Sequence, residues 1–225
     1  MSGLFVVLEG GDGAGKSTQL TRLAAWLREA GHEVVVTYEP GDTQLGATLR
    51  KLLLDPASGD VSPRAEAMLY AADKAQHVYE LVRPALDAGK VVVCDRYVDS
   101  MIAYQGAGRV LDADEIRGLA DWATGGLVPD LTVVLDVPVE RAVGEKVDLD
   151  RLEAAGTDFH ERVRSYFLDL AGQDPSRYLV LPGREDRDTI EAAIRARLEP
   201  LLLQPQLRRQ DFRGTLHPPR GVANA

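Results

Sequence analysis

Residues 10–17 read Gly10-Gly11-Asp12-Gly13-Ala14-Gly15-Lys16-Ser17, and this octet restricts the possible folds more than any other stretch. Its glycines allow backbone conformations that other residues rarely adopt. Before it lies a short apolar, β-branched run, LFVVLE at 4–9, which reads as a buried strand. After it the pattern turns helical, with Leu20, Leu23, Ala24 and Leu27 on one face and Gly31 as the stop. Strand, glycine turn and helix together form the frame in which G-x-x-x-x-G-K-[ST] wraps a phosphate chain. Backbone N–H groups and the positive end of the helix attract the anion. Residues Gly10 through Thr18 are therefore the candidate ATP cradle. Lys16 is expected to bridge the β- and γ-phosphates, and Ser17 to ligate Mg²⁺.

The rest of the chain extends this frame. Apolar runs at 33–38, 91–94, 131–136 and 178–181 alternate with helical patterns at 44–54, 64–88, 114–124, 158–171 and from 188 onward. A kink is expected near Pro84, and Asp188 is a candidate cap for the last helix. Strands apolar on both faces, alternating with helices, predict a parallel sheet covered on both sides. The fold class is α/β: a three-layer α/β/α P-loop NTPase fold with a five-stranded parallel sheet. Residues 1–203 read as a single domain. Residues 204–225, with Pro, Gly and Arg and no periodicity, read as an irregular or disordered tail.

Composition narrows the partners. A net charge of −9 argues against a long polyanion, so no nucleic-acid partner is expected. A small phosphorylated ligand suits an acidic protein, since a few cations and backbone groups suffice to hold it. No stretch is long and apolar enough to span a membrane, and the N-terminus lacks the features of a signal peptide. One cysteine, Cys94, fits a reducing compartment, and the expected location is cytoplasmic.

A phosphate loop names a donor, not a reaction. The nearest approach to the guanine-reading N-K-x-D is Glu145-Lys146-Val147-Asp148, which has the wrong first residue and argues against a GTPase. Asp95 closes the strand VVVCD, a station suited to a carboxylate of the Mg²⁺ shell. Arg96 follows it and is placed for bidentate binding of an acceptor phosphate. The four histidines show no metal-ligand spacing; His77 and His160 are expected in surface or capping roles, and Trp26 and Trp122 in helix packing.

In order along the chain stand FVVLEGGDGAGKSTQ (5–19), EPGDTQLGATLR (39–50), LYAADKAQH (69–77), DRYVDSMIAYQGAGR (95–109), GLVPDLTVVLDV (126–137) and DRLEAAGTDFHERVR (150–164). Together they resemble the thymidylate kinases, over about residues 3–200. The resemblance implies transfer of the ATP γ-phosphoryl group to dTMP with Mg²⁺, in a homodimer, beneath a short mobile lid at about 141–153. It assigns Asp95 to Mg²⁺ and phosphate organisation, Arg96 to the acceptor phosphate with Arg50 nearby, and Asp12 to the sugar and acceptor end. Tyr70 takes the place of a Phe stacked on thymine, Tyr104 crowds the ribose 2′ position, and Gln105 faces the base edge. Glu39 and Ser100 belong to the same substrate-binding segments. Arg151 is the expected lid cation, with Arg141 and Lys146 as alternatives.

Five positions depart from the family pattern. T-R-E-P-G-G here reads Thr37-Tyr38-Glu39-Pro40-Gly41-Asp42, which loses an Arg and places a carboxylate beside an anionic substrate. Lys74 replaces an Arg at the thymine edge, Met101 replaces a polar residue beside it, and Tyr70 replaces Phe. These changes leave open a kinase for a modified pyrimidine nucleotide. A third reading is an ATP-binding interaction protein without transfer.

Overall fold

In the computed structural model, the described residues are 3–139, 150–152 and 155–203. Five strands, β1 (Leu4–Glu9), β2 (Val34–Tyr38), β3 (Val91–Asp95), β4 (Leu131–Asp136) and β5 (Tyr178–Pro182), form one sheet in the order β2-β3-β1-β4-β5. Every pairing is parallel. The chain leaves β1 toward β2 on one side and later crosses to β4 on the other. This reversal opens a crevice at the carboxyl end of β1, the place where open α/β sheets bind ligands.

Side-chain period two explains the layers. On one face Leu4, Val6 and Leu8 of β1, with Val91, Val93, Val133 and Leu135, pack on Leu20, Leu23 and Leu27 of α1 (Lys16–Glu29) and on Ile190, Ile194 and Leu198 of α8 (Arg187–Leu203). On the other, Phe5, Val7, Val92 and Cys94 meet Val78, Val82 and Leu86. All six residues of β1 are buried, and each large apolar side chain there contributes roughly 1.5–3 kcal/mol. A charge at Val7, which has no exposed surface, would break the second of these layers.

Local sequence sets the helix ends. Thr43 caps α2 (Gln44–Leu54) through Gly46 N–H at 2.9 Å, and Ser62 with Pro63 starts α3 (Pro63–His77). The expected kink before Pro84 is a five-residue π-helical stretch, Val78–Val82, leading into α4 (Arg83–Asp87). Periodicity gives no helix at 98–108, yet α5 (Val98–Met101) runs into a second π-helical stretch, Ile102–Gly108. Asp112 caps α6 (Ala113–Thr124), and α7 spans Thr157–Gln173. At α8 the cap is Asp186, which accepts the N–H groups of Asp188 and Thr189; Asp188 and Glu191 instead hold Arg22 of α1. Trp122 is 81% exposed, contrary to its expected role in helix packing.

Candidate active site

The loop after β1 turns at Gly10, whose φ is +132° and whose Cβ would lie 2.4 Å from the Leu135 carbonyl oxygen. Only glycine fits there. Gly15, also left-handed, hands the chain to α1; no side chain caps that helix and its first turn has no acidic residue. The helix end is left for an anion. Lys16 Nζ donates to the carbonyls of Gly10 and Gly11 at 3.0 and 2.9 Å. Burial first, and then the Arg96 guanidinium, pull its ammonium down to about 8. Residues Asp12 to Thr18 line a cavity of about 830 Å³.

Register carries Asp95 to this loop, because it pairs with Leu8 of β1. Its Oδ2 lies 3.5 Å from Ser17 Oγ, and its Oδ1 is buried without a hydrogen-bond partner among the described residues. A hard cation between these oxygens would satisfy that orphaned atom. Asp95 and Ser17 are thus of the chemical type that suits Mg²⁺.

Arg96 adopts φ +66°, a left-handed conformation uncommon outside glycine. Its N–H donates to Leu8 O at 2.9 Å, and the Cys94 thiol donates to its carbonyl at 3.0 Å. This turn throws the guanidinium across the crevice onto Asp12 Oδ1 (2.6 Å) and Ser100 Oγ (3.1 Å), over the Tyr104 ring. Ser100 in turn donates to Glu9 at 2.6 Å, and Glu9 also accepts the N–H groups of Tyr97 and Ser100. Burial, then Asp99, lifts the Glu9 carboxyl to about 7. Sequence reasoning assigns Glu9 nothing beyond ending a strand. A carboxylate closing an otherwise apolar strand was the available signal.

Beyond Arg96 lies a second cavity of about 550 Å³, walled by Tyr70, Lys74, Ser100, Met101, Tyr104 and Gln105. Asp12, Glu39, Arg50 and Arg96 line both cavities. Tyr104 Oη is buried without a hydrogen-bond partner among the described residues; burial raises its phenol to about 12. Arg50 donates to Pro40 O at 2.6 Å and stacks over the Tyr38 ring. The Tyr that replaces an Arg thus seats the neighbouring one.

Three expectations change. Asp42 does not face the substrate: it accepts the Thr37 hydroxyl at 2.6 Å and lines neither cavity. His77 is neither surface nor cap; it is 1% exposed and bridges Thr37 and Glu39. Arg151 does not reach the phosphate loop. Its guanidinium lies on Glu66 and on the Leu53 carbonyl. Glu66, fully buried, also takes Gln105 Nε2 at 2.9 Å and both forks of Arg109 at 3.1 Å. This hub was not read from sequence; an acid in the first turn of an amphipathic helix looks like a helix-dipole partner. The alternative lid cations Arg141 and Lys146 lie outside the described residues. Among the described residues no helix is long and apolar enough to cross a membrane.

Residues 8–194 match the thymidylate kinase family profile. The chain is 60% identical over 202 residues to a thymidylate kinase of Cutibacterium acnes, covering 90% of this chain and 99% of that one. It is 56% identical to one of Clavibacter michiganensis, covering 90% and 97%. A solved thymidylate kinase of Ehrlichia chaffeensis superposes with a TM-score of 0.73 at 31% identity, covering 88% of this chain and all of the other.

Proposed function

Because this chain belongs to the thymidylate kinase family, we propose that it transfers the γ-phosphoryl group of ATP to dTMP, giving ADP and dTDP, by the following division of labour. The observation that carries the proposal is the wall shared by the two cavities, where Asp12, Glu39, Arg50 and Arg96 face both. Two nucleotides bound end to end would meet there.

On the donor side Lys16 and the loop backbone hold the β- and γ-phosphates. Ser17 and Asp95 would hold Mg²⁺, which would supply neutralisation of the phosphate charge. On the acceptor side Arg96 grips the dTMP phosphate, oriented by Asp12 and Ser100, with Arg50 as a second cation. Tyr70 offers an aromatic face to the base. Tyr104 occupies the space a ribose 2′-hydroxyl would need, which favours the deoxy sugar. Lys74, Met101 and Gln105 border the base end.

Acceptor chemistry needs no general base. A phosphate monoester has its second pKa near 6, so at neutral pH the attacking oxygen is already ionised. That oxygen forms a bond to the γ-phosphorus as the bond to the β–γ bridging oxygen breaks, and ADP leaves with the electron pair. What the residues supply is alignment of two anions and neutralisation of the charge between them. Lys16 and Arg96 flank that path from opposite cavities.

A homodimer follows from the family resemblance. Met68 and Tyr79, eleven residues and three helical turns apart along α3 and its continuation, are exposed on one face and suit a partner. Light scattering should give twice the 24.5 kDa of one chain; a single-chain mass would remove the dimer.

The function is tested by ADP release from ATP and Mg²⁺ with dTMP, dUMP, dCMP and UMP, using Lys16→Ala as blank. dTMP should exceed every other acceptor by about tenfold or more. Equal rates across the panel, or none above the blank, would refute the assignment.

A further inference from the structure

Tyr38 and Arg50 meet at the wall between the two cavities, and the turn after β2 is shaped to let them. Tyr38 closes β2, the edge strand, in register with Asp95 of β3. Arg50 is exposed on the second half of α2. Its guanidinium carbon stands 5.7 Å from the centre of the Tyr38 ring, and its Nη1 donates to the Pro40 carbonyl at 2.6 Å. Gly41, at φ +125°, lies against both: a Cβ there would fall 2.8 Å from Arg50 Cδ and 3.3 Å from Tyr38 Cε2. Any side chain at 41 would part the pair. From α3, Asp73 Oδ1 accepts the Gly41 N–H at 3.0 Å and pins the turn.

These partners face different sides. Tyr38 lines the donor cavity and not the acceptor one, Pro40 lines the acceptor cavity and not the donor one, and Arg50 lines both. The guanidinium is therefore held between a ring on the donor side and a carbonyl on the acceptor side. An unrestrained arginine on an exposed helix face samples many rotamers, and only some of them reach the wall. The ring face attracts the cation and selects those rotamers. It also brings no positive charge of its own to the donor phosphates. An Arg at position 38 would repel the Arg50 guanidinium and add a second cation on the donor side.

We propose that Tyr38 is a positioning residue that commits Arg50 to the acceptor phosphate. The loss of an Arg at position 38 is then a division of charge between the cavities: this part of the wall carries one cation, held toward the acceptor. The kinetic consequence rests on the dTMP kinase reading; the seating of Arg50 does not. Tyr38 is 43% exposed at the end of an edge strand, so the core survives its replacement.

The test is a double-mutant cycle of Tyr38→Ala and Arg50→Ala, with kinetics in both substrates. Tyr38→Ala should raise KM for dTMP about three- to fivefold, with KM for ATP and kcat within about twofold. Tyr38→Phe, which keeps the ring, should restore the parent KM. In the Arg50→Ala background, Tyr38→Ala should add almost nothing. An unchanged KM for dTMP, a raised KM for ATP instead, or the same loss with and without Arg50 overturns the proposal. Relaxation of the Arg50 ¹⁵Nε signal in ligand-free protein, assigned by its loss in Arg50→Ala, reads the seating itself. It should report an ordered side chain in the parent and Tyr38→Phe, and a mobile one in Tyr38→Ala. Equal mobility in all three also overturns the proposal. Absence of dTMP turnover in the parent would instead defeat the kinase reading and leave the relaxation to decide whether the ring seats Arg50.

Discussion

The donor and acceptor halves of the site are built by opposite means. The donor cradle comes from one contiguous stretch, residues 10–18, and its shape is set by backbone: left-handed glycines at 10, 13 and 15 and an uncapped helix end. The acceptor cavity draws on the turn after β2, α2, α3, α5 and the π-helical stretch after it. Three buried carboxylates hold it together: Glu9 on Ser100, Glu39 on Lys74 and His77, and Glu66 on Gln105, Arg109 and Arg151. A backbone-built site tolerates changes in its surroundings. One built from buried ion pairs fails when a single partner is lost, because the other is left uncompensated.

The largest expected effect breaks the donor half alone. Lys16→Ala should lower kcat by about a thousandfold, since it removes a buried cation from the proposed donor site. Affinity for dTMP, measured by calorimetry, should change less than about threefold. A comparable loss of dTMP affinity would mean that the halves are not separable.

Glu66→Gln tests the acceptor half. It leaves two guanidiniums facing a neutral amide and frees Arg151, so KM for dTMP should rise about tenfold and the melting temperature should fall. Unchanged ATP affinity would sharpen the contrast; equal weakening of ATP would blur it.

The smallest effect is on stability. Asp73 has its carboxyl raised to about 6 by burial and then by Glu39, and its Oδ2 is buried without a partner among the described residues. A raised folded-state value means that stability present below the ordinary carboxylate range is lost as pH climbs through about 6. Asp73→Asn should therefore raise the melting temperature at pH 8 by a few degrees and change it little at pH 4. An equal effect at both pH values would show that the carboxyl does not titrate in this window.

The same division explains how much of the molecule could be read from sequence. All five strands and the phosphate loop are local patterns, and they fold where the patterns lie. Asp95 and Arg96 were legible because a strand end fixes their place. The π-helical stretches escaped, since a period near 3.6 cannot mark a turn that widens. Asp42, His77 and Arg151 were misplaced for a different reason: each is defined by a partner between 5 and 85 residues away. Spacing cannot reveal that Asp42 turns inward to Thr37, or that Glu66 gathers three donors.

Although Arg96 stands at the rim of the donor loop, the proposed transfer assigns it to the acceptor half. Calorimetry separates the two halves when the parent and Arg96→Ala are each titrated with dTMP and, separately, with a non-hydrolysable ATP analogue and Mg²⁺. In the variant dTMP affinity should fall at least about tenfold while analogue affinity stays within about threefold. Loss of analogue binding with dTMP affinity intact would instead place Arg96 in the donor half.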